Sequence, residues 1–228
     1  SEPSAMRGLF ISFEGGEGAG KSTQIAHLAR RLRDGGWRVL ATREPGGSPR
    51  AERIRSILLS GQAKDLGSEG ETMLFAAARR DHVETLIAPA LGEGALVLCD
   101  RFIDSTRVYQ GAVAGLDRQF LGALEVAATG GTLPDISALT LVIDVPADLG
   151  LERAGARRAA RGEAADRFEA EDLGYHEKVR AAFLAIAHAE PQRCVLVDGS
   201  AVEDEVAAAI CAAVARRLAA RAGQGAPS

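Results

Sequence analysis

The stretch GGEGAGKS, Gly15–Ser22, fits the pattern G-x-x-x-x-G-K-[ST], whose residue types are suited to holding a polyphosphate. Gly15, Gly16, Gly18 and Gly20 let successive backbone N–H groups turn inward around phosphate oxygens. Lys21 can reach the β- and γ-phosphates, and the Ser22 hydroxyl can ligate Mg²⁺. With Ala19 and Thr23 the stretch Gly15–Thr23 reads as the ATP-binding loop, Glu17 included. Glu17 is the anomaly: an acid in the middle of a loop that should hold a triphosphate.

Three further stretches offer a second pocket and a charge clamp. LCDRF places Asp100 and Arg101 just after an apolar run, at the strand end where open α/β sheets bind ligands. Asp100 could hold Mg²⁺ or its water and Arg101 could bridge a transferred phosphoryl group; a surface ion pair is the alternative. TREPGGSPRAERIR, Thr42–Arg55, supplies Arg43, Arg50, Arg53 and Arg55 as anion donors or as a solvated helix face, with Arg55 favoured. A cis bond is expected at Glu44–Pro45. In LFAAARRDHVE, Phe75 and Arg79 stand four apart on one helix face, so a ring and a guanidinium could stack a base and donate to its carbonyl. Phe75 taken alone would read as core.

These residues need a scaffold, and the apolar pattern supplies one. Runs of about five residues at Leu9–Phe13, Trp37–Thr42, Ala95–Cys99, Ala138–Asp144 and Cys194–Asp198 read as buried strands. Between them, helical spacing predicts helices from Ile25 to an Asp34-Gly35-Gly36 stop, over Ala51–Leu59, over Glu71–Ala88 closed by Pro89, over Asp117–Thr129, and from about Val202 to Arg221. Such alternation predicts one α/β domain over 7–221, a five-stranded parallel sheet with helices on both faces. Residues 1–6 are expected to be an added or disordered leader, and 222–228 a disordered tail.

Hydrophobic residues make up 46 % of the 228, enough for a core, and the net charge of −4 gives no global signal for nucleic acid or membrane. No apolar run could span a bilayer. Cys99, Cys194 and Cys211 lack CxxC spacing; two adjoin strand runs and read as buried reduced thiols, which fits a cytoplasmic protein. His27, His82, His176 and His188 lie on helical stretches without clustered partners and receive no catalytic or metal role. A GTPase switch is excluded because no [NT]-K-x-D and no D-x-x-G occurs, and LLSGQ, Leu58–Gln62, is a helix terminus and turn rather than a transporter signature.

In order along the chain, FEGGEGAGKST, TREPGG, LFAAAR, DRFIDSTRVYQG, LPDI and DRFE resemble the bacterial thymidylate kinases over nearly the whole length. The resemblance implies a P-loop fold, Mg²⁺-dependent in-line transfer of the ATP γ-phosphoryl group to dTMP, and a homodimer, with helices near Glu71–Ala88 and Asp117–Thr129 as candidate interfaces. It implies that Glu17 faces the acceptor, accepting a hydrogen bond from the deoxyribose 3′-hydroxyl, and helps order Mg²⁺-bound water. Phe75 corresponds to the residue stacked on thymine and Arg79 to the donor to its O4. Gln110 would lie near the base edge, Tyr109 near the sugar, Ser105 on the same face, and Arg55 and Arg101 at the dTMP phosphate. A lid at about 150–170 would supply the cation that the phosphate loop lacks. That segment, Glu152–Arg167, is longer than the family pattern, leaving Arg153, Arg157, Arg158 and Arg161 as candidates, with Arg153 and Arg161 preferred. A deoxynucleoside kinase, or a nucleotide-binding module without activity, is the alternative.

Overall fold

In a computed structural model, which describes residues 8–130 and 139–224, the apolar runs form one parallel sheet. Its strands are β1 (Leu9–Glu14), β2 (Val39–Arg43), β3 (Leu96–Asp100), β4 (Leu139–Asp144) and β5 (Cys194–Asp198), in the spatial order β2-β3-β1-β4-β5. Each strand is apolar or hydroxylic until its last residue, which is charged: Glu14, Arg43, Asp100, Asp144 and Asp198. The expected boundaries shift by a residue or two for local reasons. Trp37, expected in β2, instead donates its backbone N–H to Leu32 O and closes the preceding helix.

Leu9, Ile11 and Phe13 of β1 turn to one face, where they pack on Ile25, Leu28, Ile210 and Val214 of α1 (Lys21–Asp34) and of the last helix, Glu203–Gln224. Phe10 turns to the other and packs on Val83, Ile87 and Phe102. Each such fully buried side chain contributes roughly 1.5–3 kcal/mol. Polar side chains inside the sheet are satisfied: Ser12 Oγ lies 2.9 Å from Thr140 Oγ1, which also accepts from Arg193 Nη1 at 2.7 Å.

Helix α2 spans Pro49–Leu59 and α3 Gly67–His82. Pro89 does not close that helix as expected. One turn of π-helix at Val83–Ile87 widens the backbone ahead of the proline, and the chain continues helically as α4 (Ala88–Gly92). A short α5 (Ile103–Thr106) runs into a second π turn at Arg107–Val113, which the sequence pattern did not disclose. Helix α6 (Arg118–Thr129) is capped by the Asp117 carboxylate, which accepts from the N–H groups of Gln119 and Phe120. Then come α7 (Ala147–Arg161), α8 (Leu173–Ala189) and α9 (Glu203–Gln224). Ala222–Gln224, expected in the tail, are helical, and LPDI (133–136) lies outside the described residues.

Candidate functional site

The parallel register sets the phosphate loop and the DRF turn side by side. Phe13 pairs with Asp100, so the segments that follow β1 and β3 leave the sheet at the same height. The loop closes onto α1 through Gly20, whose left-handed φ of 88° caps the helix and aims its first N–H groups into the cleft. Lys21 opens that helix with its side chain largely buried, Nζ donating to Gly16 O at 3.3 Å. Burial and the neighbouring Arg101 lower its pKa, against the raising effect of Asp100, Glu17 and Glu14. Ser22 Oγ donates to Asp100 Oδ2 at 3.0 Å. A hydroxyl and a carboxylate are hard oxygen donors, a set that suits Mg²⁺ with water and phosphate completing its shell.

Glu17 points away from this end of the loop. Its Oε1 accepts from Arg101 Nη2 at 3.0 Å and from the Tyr109 hydroxyl at 3.4 Å. Burial alone would raise its pKa, but Arg101, Lys21, His176 and the Tyr109 bond together hold it below the usual carboxylate range. The acid is therefore an ionised acceptor, with its charge met by Arg101.

Arg101 reaches this position because its backbone is left-handed, with φ at 68°, a rare conformation for a side-chain-bearing residue. Its Nη1 donates to Gly15 O at 3.0 Å and Ser105 Oγ at 3.2 Å, and the guanidinium lies 5.2 Å over the Tyr109 ring. Burial opposes its charge, yet Tyr109, Glu17, Asp100 and Glu14 raise its pKa further.

The turn is held by Glu14, a residue to which sequence reasoning gave no role. Its fully buried carboxyl accepts from Phe102 N–H at 2.8 Å, Ser105 N–H at 3.2 Å and Ser105 Oγ at 2.6 Å. Burial and Asp104 push its pKa from 4.5 up to about 7, against Arg101, the Ser105 hydroxyl and the Phe102 N–H. A carboxyl raised on folding adds stability that is complete below its unfolded pKa and is lost as pH rises through the folded value. The stability difference between wild type and Glu14→Gln should therefore favour wild type more at about pH 5 than at about pH 8, measured by chemical denaturation. An equal difference at both pH values would exclude a raised pKa.

The cleft has a volume of about 530 Å³. Glu17, Gly18, Ala19, Gly20, Lys21, Ser22, Thr23, Arg55, Phe75, Arg79, Asp100, Arg101, Ser105, Tyr109 and Gln110 all line it. Gly15 and Gly16 belong to the loop but do not line the cleft. Phe168 of DRFE completes an aromatic wall, its ring 6.1 Å from Phe75 and 5.9 Å from Tyr109. Arg55 donates to Pro45 O at 2.8 Å, and burial with Arg43 nearby lowers its pKa. The Glu44–Pro45 bond is cis, as expected. Arg79 is buried, donating from Nε to Glu44 Oε2 at 2.6 Å, from Nη1 to Thr106 Oγ1 at 3.1 Å and from Nη2 to Phe102 O at 3.1 Å.

Helix α7 carries the arginines expected in a lid and starts against the phosphate loop. Gly18 has φ of 66°, and a Cβ added there would overlap the Gly150 carbonyl, so two glycines bring the backbones into contact. From that base, Arg157, Arg158 and Arg161 line the cleft. Glu169 holds Arg158 at 2.8 Å and Arg157 at 3.5 Å, while Arg161 is exposed without a hydrogen-bond partner among the described residues. Arg153, preferred from the sequence, does not line the cleft. It donates to Gly199 O at 2.9 Å, beyond the end of β5. The eight residues separating it from Arg161 span about 12 Å of helix, which leaves it near the base of the lid.

The thymidylate kinase family model matches residues 13–210. A thymidylate kinase of Bradyrhizobium sp. (strain BTAi1) is 55 % identical over 212 residues, covering 93 % of this chain and 92 % of that protein. A thymidylate kinase of Nitrobacter winogradskyi is 55 % identical over 210 residues, covering 92 % and 89 %. The matched residues 13–210 contain the phosphate loop, the DRF turn and α7, and the chain belongs to the thymidylate kinase family.

Proposed function

We propose that the protein transfers the γ-phosphoryl group of ATP to dTMP, giving dTDP and ADP. The observation that carries this reading is the orientation of Glu17, turned from the phosphate loop to Arg101 and Tyr109 at the head of a pocket walled by Phe75, Arg79 and Gln110. An ionised acceptor there suits a neutral sugar hydroxyl, and a stacked ring with an N–H donor suits a base that presents a carbonyl. Cytosine presents an amine at the same place and would face Arg79 donor to donor. Arg55 and Arg101, two cations on the acceptor side, suit a phosphate acceptor better than the bare 5′-hydroxyl of a nucleoside.

On this reading Lys21 and the loop amides orient the donor, Arg101 holds the acceptor phosphate in line, and the lid arginines meet the charge on the transferring group. Mg²⁺ would be held through Ser22 and Asp100, and when bound it neutralises phosphate charge. Among these arginines, Arg161 is exposed and has no hydrogen-bond partner among the described residues, which leaves it available to the nucleotide. Arg161→Ala should lower kcat by about 10²–10³-fold with little change in ATP affinity. A kcat within about twofold of wild type would transfer the role to Arg157 or Arg158.

The reaction is tested by ADP release with ATP and Mg²⁺ against dTMP, dUMP, dCMP, dAMP, dGMP and thymidine in turn. Turnover with dTMP, weak turnover with dUMP and none with dCMP support the reading; turnover with thymidine but not dTMP overturns it. A homodimer through α3 and α6 fits Met73 and Val126, apolar side chains 50 % and 57 % exposed on helices packed against each other. A cytoplasmic location would follow from these substrates, and no helix among the described residues is long and apolar enough to cross a membrane.

A further inference from the structure

We propose that His82 is a positioning residue for base selection: its imidazole fixes the Glu44 carboxylate, and Glu44 fixes the guanidinium of Arg79 against the acceptor pocket. The inference rests on the base-reading role proposed for Arg79.

His82 is the last residue of α3, three positions after Arg79, and its side chain is fully buried. Nδ1 lies 3.0 Å from Glu44 Oε1, and Nε2 lies 2.7 Å from Thr42 Oγ1. The backbone of Gly47, at φ 86°, lies so close that an added Cβ would overlap the ring. The imidazole is thus wedged between the strand end and the TREPGG loop, in one orientation. The role of the nitrogen facing Glu44 is also fixed. Burial would raise the Glu44 pKa, but Arg79 and His82 together lower it, so the carboxylate is ionised and can only accept. Nδ1 must then carry the proton given to Glu44.

The second carboxylate oxygen of Glu44 accepts from Arg79 Nε at 2.6 Å. With Nη1 on Thr106 and Nη2 on Phe102, three of the five guanidinium N–H groups are committed and two remain, on a side chain that lines the cleft. Those two are aimed by the three that are held. Removing the His82 bond frees one oxygen of Glu44 to rotate or recruit water, and the aim of Arg79 loosens. No part of this relay touches the donor side, so its loss should be felt in acceptor KM and base choice and not in ATP binding.

Two variants separate the roles of the two ring nitrogens. Asparagine places a donor near Nδ1 and should keep the Glu44 bond, whereas glutamine reaches toward Nε2 and should lose it. His82→Gln should raise the dTMP KM and reduce the dTMP/dCMP ratio of kcat/KM, each by about tenfold, with ATP KM unchanged. His82→Asn should stay within about threefold of wild type in both. Arg79→Ala is measured alongside. If it collapses the dTMP/dCMP ratio while His82→Gln leaves the ratio unchanged, the relay is overturned and the base-reading role of Arg79 stands. If Arg79→Ala leaves the ratio unchanged, both fall. Loss of dTMP and ATP affinity together in His82→Gln, or an Asn variant as impaired as the Gln variant, also overturns it. Should the Gln variant fail to fold, Glu44→Gln, which keeps the side-chain shape, is expected to give the same loss of discrimination, and retention of the ratio there would overturn the relay.

Discussion

Arg101→Ala should lower kcat/KM for dTMP by about 10³-fold, the largest loss expected of any single acceptor-side change. Three effects coincide at this side chain. The guanidinium is the counter-charge of Glu17 at 3.0 Å, it ties the DRF turn to the phosphate loop through Gly15 O at 3.0 Å, and it stacks on Tyr109. Removing it leaves Glu17 ionised in a buried place with only the Tyr109 hydroxyl and more distant charges, an arrangement that costs about 3–5 kcal/mol for a broken buried pair. Part of that cost will be relieved by protonation, so Glu17 should move from below its ordinary pKa to above it, and what activity remains should depend more steeply on pH. Lysine is not a substitute. One ammonium cannot serve the Gly15 carbonyl, Ser105 and Glu17 in the forked geometry seen here. Steady-state kinetics with dTMP varied, accompanied by thermal melts, checks this, and a loss under about tenfold for Ala would remove Arg101 from the acceptor site.

The second large effect concerns stability and the lid together. Gly18→Ala would place a methyl group into the Gly150 carbonyl while holding a left-handed φ of 66°. Overpacking against rigid backbone costs about 1–3 kcal/mol and the backbone conformation about 1–2 kcal/mol more, so a loss of roughly 2–5 kcal/mol is expected by denaturant unfolding. Gly16→Ala is the control. Nothing stands within 4 Å of a Cβ there and its φ is not in the left-handed region, so its stability should be close to wild type. Equal stability of the two alanine variants would show that the loop and α7 separate at no cost. If α7 instead shifts to make room, Gly18→Ala should also lower kcat, because the helix that carries Arg161 would be displaced at its base.

How far the sequence foretold this site follows from the range of each interaction. The phosphate loop was readable because its conformation depends on residues within about eight positions of one another, and the strands because five apolar residues in a row must be buried. Phe75 and Arg79 were readable as a pair from helical spacing. Glu44, His82 and Glu14 were not. Glu44 meets Arg79 and His82 across 35 and 38 residues, and Glu14 meets Ser105 across 91. Such pairings exist only once the register of β1 with β3 and of β2 with β3 has closed the loops between them. A buried ionisable residue just past an apolar strand was the available signal for Glu14, and a histidine on a helix otherwise facing the core was the signal for His82. That Arg153 stands apart from the cleft was not readable, because motif order says which arginines belong to one helix but not how far along its axis each one lies. Pro89 misled because a π turn upstream can absorb a proline without ending the helix.

Charged last residues on all five strands bear on how the sheet finds its alignment. A parallel strand buried on both faces has an apolar pattern that looks nearly the same after a slip of two residues, so hydrophobicity alone specifies its pairing weakly. Glu14, Asp100 and Asp144, which end the three inner strands β1, β3 and β4, remove that degeneracy. Any strand sliding in the direction that carries its end inward would draw a charge into the apolar interior without a partner, at a cost of several kcal/mol. These strand-end residues, Asp100 among them at the cleft, therefore also act as stops against misalignment, and neutralising them in combination should produce misregistered, aggregation-prone chains before it produces a well-folded protein that merely lacks activity.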